Sequence, residues 1–272
     1  MPSVSRIGCL PLFRLPPMCY VDSLSVFHAA AELGIECVII TSPDSTFVSA
    51  GYFDNVKQIL DFDSLRAKNL PVFRRRIGGG IVLLDKNQVF YQVVLKRANQ
   101  LIPPVVANAY RKFSKAPIQA LKEIGVPVEH RLVNDLVTIS SSSKISGQGA
   151  GVVGDCFVFV GNILLDFNYS LMAKVFSVSD NRRDDLLKLL EKNVSSLKRE
   201  MGWMSDKREV EICLVKNFKN EYPFLKESEA PAELFEKTRT LSSFMTSEEF
   251  VFEESGRLHE KIKIREGVYL ER

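Results

Sequence analysis

Three arginines are followed, after one isoleucine, by three glycines: Arg74-Arg75-Arg76-Ile77-Gly78-Gly79-Gly80. A stretch without Cβ atoms gains little from forming a helix or a central strand, so its order must come from what surrounds it. Apolar, β-branched residues follow over 81–84 and again over 89–95, either side of Asp85-Lys86-Asn87. This pattern predicts a hairpin packed behind an irregular glycine loop, with a further strand over 71–75 leading in. Main-chain N–H groups of bare glycines approach a ligand closely and form anion-binding nests. Arginine adds a planar fork suited to phosphate or carboxylate. The same residues also read as a glycine-kinked strand with a solvated basic edge. The loop is neither a GxxxxGK[ST] phosphate loop nor a GxGxxG fingerprint.

A second cluster lies downstream. Asn134-Asp135 is followed by four serines and then Lys144-Ile145-Ser146-Gly147-Gln148-Gly149-Ala150-Gly151. A lysine among small residues has room around its ammonium, whose three donors can hold a carbonyl and a phosphate oxygen together. The bland alternative is an exposed loop lysine. Asp85 and Asp135 read as binding residues or as carboxylates capping turns.

Around these clusters the spacing alternates between helix and strand. It predicts a helix over 21–33 stopped by Gly34, strands over 35–41 and 47–52, and mostly helix over 55–69. Behind Pro103-Pro104 a helix runs to 124, with Tyr110, Phe113, Ile118, Leu121 and Ile124 as its buried stripe. Strands are predicted over 128–133, 136–140, 144–146, 156–160 and 163–167, with Gly161-Asn162 as a hairpin turn. A helix begins at Asp180, and 261–270 alternates like a strand. Cys156 falls in an alternating strand and reads as a buried structural residue. Trp203, Met201 and Met204 read as packing residues or as the lining of an apolar tunnel.

Composition excludes several classes. Lys+Arg 36 against Asp+Glu 33 gives a net charge of only +3, too slight to argue for nucleic acid. Cys9, Cys19, Cys37, Cys156 and Cys213 are odd in number and lack CxxC spacing, and the histidines are far apart, so neither a disulfide framework nor a metal site is expected. Arg6 precedes apolar residues as in a signal peptide, but Pro11, Arg14, Pro16 and Pro17 interrupt the would-be apolar core. No run approaches the ~20 apolar residues of a membrane span, so a cytoplasmic protein without membrane partners is expected.

Taken together, the two clusters resemble the lipoate–protein ligase family of the biotin and lipoate protein ligase superfamily. That family carries RRxxGGGxVxHD, a later ND and then KxSG. The corresponding residues here are Arg74, Arg75, Gly78, Gly79, Gly80, Val82 and Asp85, then Asn134-Asp135, then Lys144, Ser146 and Gly147. Order and spacing match over about residues 45–170. Leu84 stands where the family has histidine, and Val160-Gly161-Asn162 stands where it has HGT. The GRGRxxR loop of biotin ligases is absent.

The resemblance implies an α+β fold of the class II aminoacyl-tRNA and biotin synthetase type, a mixed, mostly antiparallel sheet flanked by helices. It implies a catalytic domain over 1–222, with 223–272 as a short extension or reduced accessory domain. The implied reaction joins lipoate, or octanoate, to a carrier lysine through an acyl-AMP made from ATP with Mg2+. Lys144 would orient and polarise the activated carbonyl. Arg74, Arg75, Gly78–Gly80, Asp85, Asn134, Asp135, Ser146 and Gly147 would form the nucleotide and lipoyl site. The carrier would be an H-protein or the lipoyl domain of a 2-oxoacid dehydrogenase acyltransferase subunit, with a separate accessory chain if the extension does not suffice. Rival readings are an ATP-independent octanoyl or lipoyl transferase and a non-catalytic homologue.

Overall fold

The computed structural model describes residues 9–256 and 258–272. The first eight residues, with Arg6, lie outside the described residues. In chain order the first half comprises β1 Leu10–Arg14, α1 Tyr20–Glu32, β2 Cys37–Thr41, β3 Phe47–Ala50, α2 Val56–Ile59, α3 Phe62–Ala67, β4 Val72–Arg74, β5 Val82–Leu84 and β6 Gln88–Lys96. Then follow α4 Val106–Phe113, α5 Lys115–Glu123, β7 Val128–Arg131, β8 Asp135–Thr138, β9 Lys144–Val153 and β10 Cys156–Leu164. The rest is α6 Tyr169–Ala173, α7 Asp180–Asn193, α8 Leu197–Met201, α9 Lys207–Glu221, β11 Leu225–Glu227, α10 Ala232–Met245, α11 Glu248–Val251, β12 Lys261–Arg265 and β13 Val268–Glu271.

Period-two alternation builds the main sheet. On β2 and β6, Val38, Ile40, Val89, Tyr91, Val93 and Leu95 pack with α5 and α9 on one face. Cys37, Ile39, Phe90 and Val94 turn to the other face, beneath α1 and α10. Both faces are covered, which is why these strands read as nearly continuous apolar runs. Each large side chain buried this way contributes ~1.5–3 kcal/mol. The sheet has eight strands in the order β11-β1-β2-β6-β10-β9-β8-β7. β1 is parallel to β2 and β11, and every other pairing is antiparallel. The expected mixed, mostly antiparallel sheet flanked by helices is therefore the observed architecture.

Several local expectations change. Residues 82–84 and 88–96 do not form a hairpin: β5 pairs antiparallel with β3 in a separate three-stranded sheet with order β4-β3-β5, while β6 crosses into the main sheet. Gly161-Asn162 is not a turn but the middle of β10, which pairs from Cys156 to Leu164 along β6. The glycine fits there because Tyr91 of the neighbouring strand lies 2.3 Å from where a Cβ would sit. The actual turn of that ladder is at Gly154-Asp155, between β9 and β10. The helix expected up to 124 breaks at Ser114 into α4 and α5. Residues 261–270 are not one strand, because Gly267 (φ +75°) reverses the chain and makes a hairpin.

The expected boundary after residue 222 falls just before β11, which pairs with β1 in the main sheet; α10 packs on α1. Within 223–272, the piece that forms a sheet apart from the main one is the β12–β13 hairpin. No helix among the described residues is long and apolar enough to cross a membrane.

Candidate functional site

A cavity of about 690 Å³ opens where the small sheet meets the main one. Its apolar walls come from two clusters. Leu24, Ile77, Leu84 and Phe90 belong to the packing beneath α1. Ile81, Leu83, Leu164, Phe176, Ile262 and Ile264 belong to the packing of the small sheet against α7 and the hairpin. Gly78–Gly80 and Lys144 also line this cavity, so the fold brings the two sequence clusters to one place.

The glycine loop is held from behind by arginine. Arg75 is buried, at 8% exposure. Its Nη1 donates to the Ser49 carbonyl at 3.1 Å and the Ser49 hydroxyl at 3.2 Å; Nη2 donates to Gly80 O at 2.7 Å and Gly78 O at 3.3 Å. Gly79 has φ +111°, and a Cβ there would lie 2.5 Å from the Arg75 guanidinium. Gly51 is equally constrained, since its Cβ would meet Gly79 O at 2.0 Å. Arg74, 1% exposed, is not among the residues lining the cavity and donates to the carbonyl of Asp54, which is, with Glu253 at 4.0 Å. Burial lowers the pKa of both guanidiniums. Arg76 pairs with Glu32, and its backbone N–H donates to His28 Nε2 at 3.1 Å. His28 is completely buried, and its Nδ1 lies 2.9 Å from Leu24 O. Burial, opposed by that backbone bond and reinforced by Arg76 and Arg75, holds its pKa at about 3, so the ring is neutral and its Nε2 accepts.

Lys144 opens β9 and lines the cavity. Its Nζ lies 2.8 Å from Asp135 Oδ1, with the lysine side chain 19% exposed and the carboxylate fully buried. The other carboxylate oxygen accepts from Glu266 N at 3.0 Å, so the hairpin turn touches the same group. Burial alone would raise the Asp135 pKa; the charge and hydrogen bond of Lys144, with Glu266 N–H, outweigh it and hold the carboxyl below its usual value. Asn134 lines the cavity and donates to Gln148 O at 2.7 Å.

Of the residues singled out from sequence, Arg75, Gly78, Gly79, Gly80, Asn134, Lys144 and Gly147 line the cavity. Asp135 reaches it through Lys144. Ser146 turns into the core, where its hydroxyl is 2.9 Å from the Tyr91 hydroxyl. Asp85 caps the turn before β6, accepting from Asn87 N at 2.8 Å, and burial raises its pKa. Cys156 is buried in β10, and Trp203 and Met204 are exposed outside the cavity. Sequence reading missed Gln92, Asn162, Lys261, Lys263 and Arg272 in the wall. Gln92 looks like an ordinary strand residue, Asn162 carries a turn signature, and the last three reach the site only through tertiary packing. Among the described residues no His, Cys, Asp or Glu cluster could hold a metal ion.

A domain of this architecture, with a lysine and a glycine loop lining one largely apolar cavity, has the fold of the lipoate ligases. The structure described as a bi-partite lipoate protein ligase and its E2 lipoyl domain, from Thermoplasma acidophilum, aligns with TM-score 0.79 at 18% identity, over 90% of this chain and 96% of that one. The family model for the lipoyl protein ligase A/B catalytic domain matches residues 25–219, and the chain belongs to that family. It is similar to the octanoyltransferase LipM of Kyrpidia tusciae, 27% identical over 64% of this chain and 71% of that protein. It is also similar to the probable lipoate-protein ligase A of Mycoplasma genitalium, 26% identical over 59% of this chain and 44% of that protein. The matched region of the first relatives spans 29% to 71% of their lengths.

Proposed function

We propose that the chain is a lipoate–protein ligase that activates lipoate, or octanoate, with ATP and passes the acyl group to a carrier lysine. The observation that carries this reading is the Lys144 ammonium, paired with a buried carboxylate, lining the same largely apolar cavity as the Gly78–Gly80 loop. In the first step a carboxylate oxygen of the acid attacks the α-phosphorus of ATP. The acyl–phosphate bond forms, the α–β phosphoanhydride bond breaks, and pyrophosphate leaves. In the second step the neutral amine of a carrier lysine attacks the carbonyl carbon; AMP leaves and the amine loses a proton. Lys144 donates to the carbonyl and phosphate oxygens where negative charge develops, a role whose worth depends on its being held in place beforehand. The glycine loop offers bare backbone to the adenylate, and the apolar walls take the acyl tail.

Magnesium would enter with the nucleotide's phosphates. Asp135 is committed to Lys144 and Glu266 N, and the donor set of the cavity does not fit a resident metal. The proposed acceptor is an H-protein or the lipoyl domain of a 2-oxoacid dehydrogenase. In the proposed division, 1–222 is the catalytic unit and the C-terminal segment a reduced accessory element, which a separate chain could supplement.

The resemblance to LipM keeps an ATP-independent transferase as the second reading. Some relatives pass octanoyl groups through a cysteine thioester, but none of the described cysteines lines the cavity. The deciding experiment is incubation with an apo lipoyl domain, lipoate or octanoate, Mg2+ and ATP, with the acceptor weighed by mass spectrometry. The ligase reading expects acylation from the free acid only with ATP, together with pyrophosphate. Acylation from an acyl-carrier donor without ATP, and none from free acid, would favour the transferase.

A further inference from the structure

Three hydrogen bonds made by two side-chain amides connect the lysine strand to the strand that leaves the glycine loop. Gly147 N–H donates to Asn162 Oδ1 at 3.0 Å. Asn162 Nδ2 donates to Gln88 Oε1 at 2.7 Å, and Gln88 Nε2 donates to the Leu83 carbonyl at 3.0 Å. The chain has one possible direction. A backbone N–H can only donate, so the Asn162 oxygen must face Gly147; its NH2 then faces Gln88, whose own NH2 must face Leu83 O. All donors point the same way, the arrangement in which each bond polarises the next.

The two ends matter. Leu83 lies in β5, which leaves the glycine loop after Gly80 and Ile81. Gly147 lies under Lys144: a Cβ added to Gly147 would come within 3.0 Å of Lys144 Cε and 3.1 Å of Nζ. The lysine side chain therefore runs over the bare face of Gly147. The β9–β10 ladder pairs as far as Gly161 with Gln148, and at the next position the Asn162 side chain takes up the Gly147 N–H. Asn162 itself lines the cavity, and Gln88 is 1% exposed.

We propose that Asn162 is a positioning residue: through Gly147 it fixes the shelf on which Lys144 lies, and through Gln88 it ties that shelf to the strand leaving the glycine loop. The catalytic consequence rests on the role given to Lys144 above; the structural relay does not. Asn162 touches neither reacting atom in this role. Its loss would let the shelf move relative to the loop, and a lysine misplaced by a fraction of an ångström stabilises the transition state less than it stabilises bound substrate.

The test has two readouts in the full-length protein. Amide hydrogen exchange at Gly147, followed by mass spectrometry or NMR, reports the relay whether or not the protein is a ligase. Acyl transfer to an apo lipoyl domain reports its consequence. Asn162→Leu should speed exchange at Gly147 at least tenfold, and lower kcat about tenfold with KM for the acid nearly unchanged. Gln88→Leu should do the same more weakly, and the double variant should be no worse than Asn162→Leu, because both break one chain. Asn162→Asp keeps size and the acceptor for Gly147 N–H but removes the donor to Gln88; it should leave exchange at Gly147 slow and still lower kcat. It also serves as the folded comparison if the leucine variant is unstable. Unchanged Gly147 exchange in Asn162→Leu would overturn the relay. Altered exchange with unaltered kcat in an active enzyme would overturn the positioning role. If no acylation occurs in the wild type while the exchange pattern holds, the ligase reading fails and the relay stands.

Discussion

The glycine loop and the lysine strand line one cavity, but they hold their cations in opposite ways. Arg75 spends its guanidinium on main-chain and serine oxygens of Ser49, Gly78 and Gly80 and is buried. Lys144 has a single carboxylate partner and keeps part of its surface open to the cavity. Arginine's rigid fork suits it to pinning several carbonyls at once, while a lysine ammonium can turn toward a ligand. Both cations line the cavity, but Arg75 is tied to the loop it supports, whereas Lys144 is the cation with room to turn toward a ligand.

Removing each cation separates the two roles most strongly. Lys144→Ala should lower acyl transfer ~10²–10³-fold, the loss typical of deleting one preorganised donor. It also strands Asp135 in the interior, so it should destabilise the fold by a few kcal/mol (~3). The Asp135 carboxyl is held below its ordinary value, so its contribution is present above about pH 4 and lost as pH falls through the lowered pKa. Without Lys144, burial raises that pKa instead, and the variant should lose stability as pH rises. Lys144→Ala/Asp135→Asn should recover the melting temperature but not the activity. Recovery of both would contradict the comparison.

Arg75→Ala should cost about 3 kcal/mol in urea unfolding, since it leaves several buried carbonyls unpaired. Arg75→Lys should rescue little, because one ammonium cannot reach Ser49, Gly78 and Gly80 together. A loss of activity with unchanged stability would mean that Arg75 acts on the ligand.

His28 gives an effect on the loop side that is small near neutral pH and grows only on acidification. Its pKa is about 3 when folded and about 6.5 when unfolded, so below pH 6.5 the unfolded chain binds the extra proton. Stability should therefore fall with decreasing pH between about 6.5 and about 3, by up to ~1.4 kcal/mol per pH unit from this residue. His28→Gln should flatten that part of the profile relative to wild type. Identical slopes would rule out a buried neutral imidazole.

The smallest effect belongs to the hairpin. Glu266→Pro removes the N–H that donates to Asp135 and should cost ~1 kcal/mol. A larger loss of activity than of stability would place the hairpin turn in the chemistry.

Local pattern made the main strands, the glycine loop and Lys144 legible. It could not assign strand partners, since the period-two signal of 82–84 is the same whether the partner is β6 or β3. Gly161-Asn162 carried a turn signature, but Tyr91 fills the glycine's missing side chain from the adjacent strand. The roles of Asn162, Gln88 and the hairpin lysines were invisible for the same reason: their partners are remote in sequence. The arginines were read by residue type, and only the fold reveals that the carbonyls of their own loop satisfy Arg75.

The most direct test of the account is the affinity of a non-hydrolysable acyl-sulfamoyl adenosine, a stable stand-in for the acyl-adenylate, measured by calorimetry. Wild type should bind it tightly. Lys144→Ala/Asp135→Asn, confirmed folded by its melting curve, should bind ~30-fold more weakly, the loss of one charge-assisted hydrogen bond worth about 2 kcal/mol. Equal affinity in the two proteins would contradict the role assigned to Lys144.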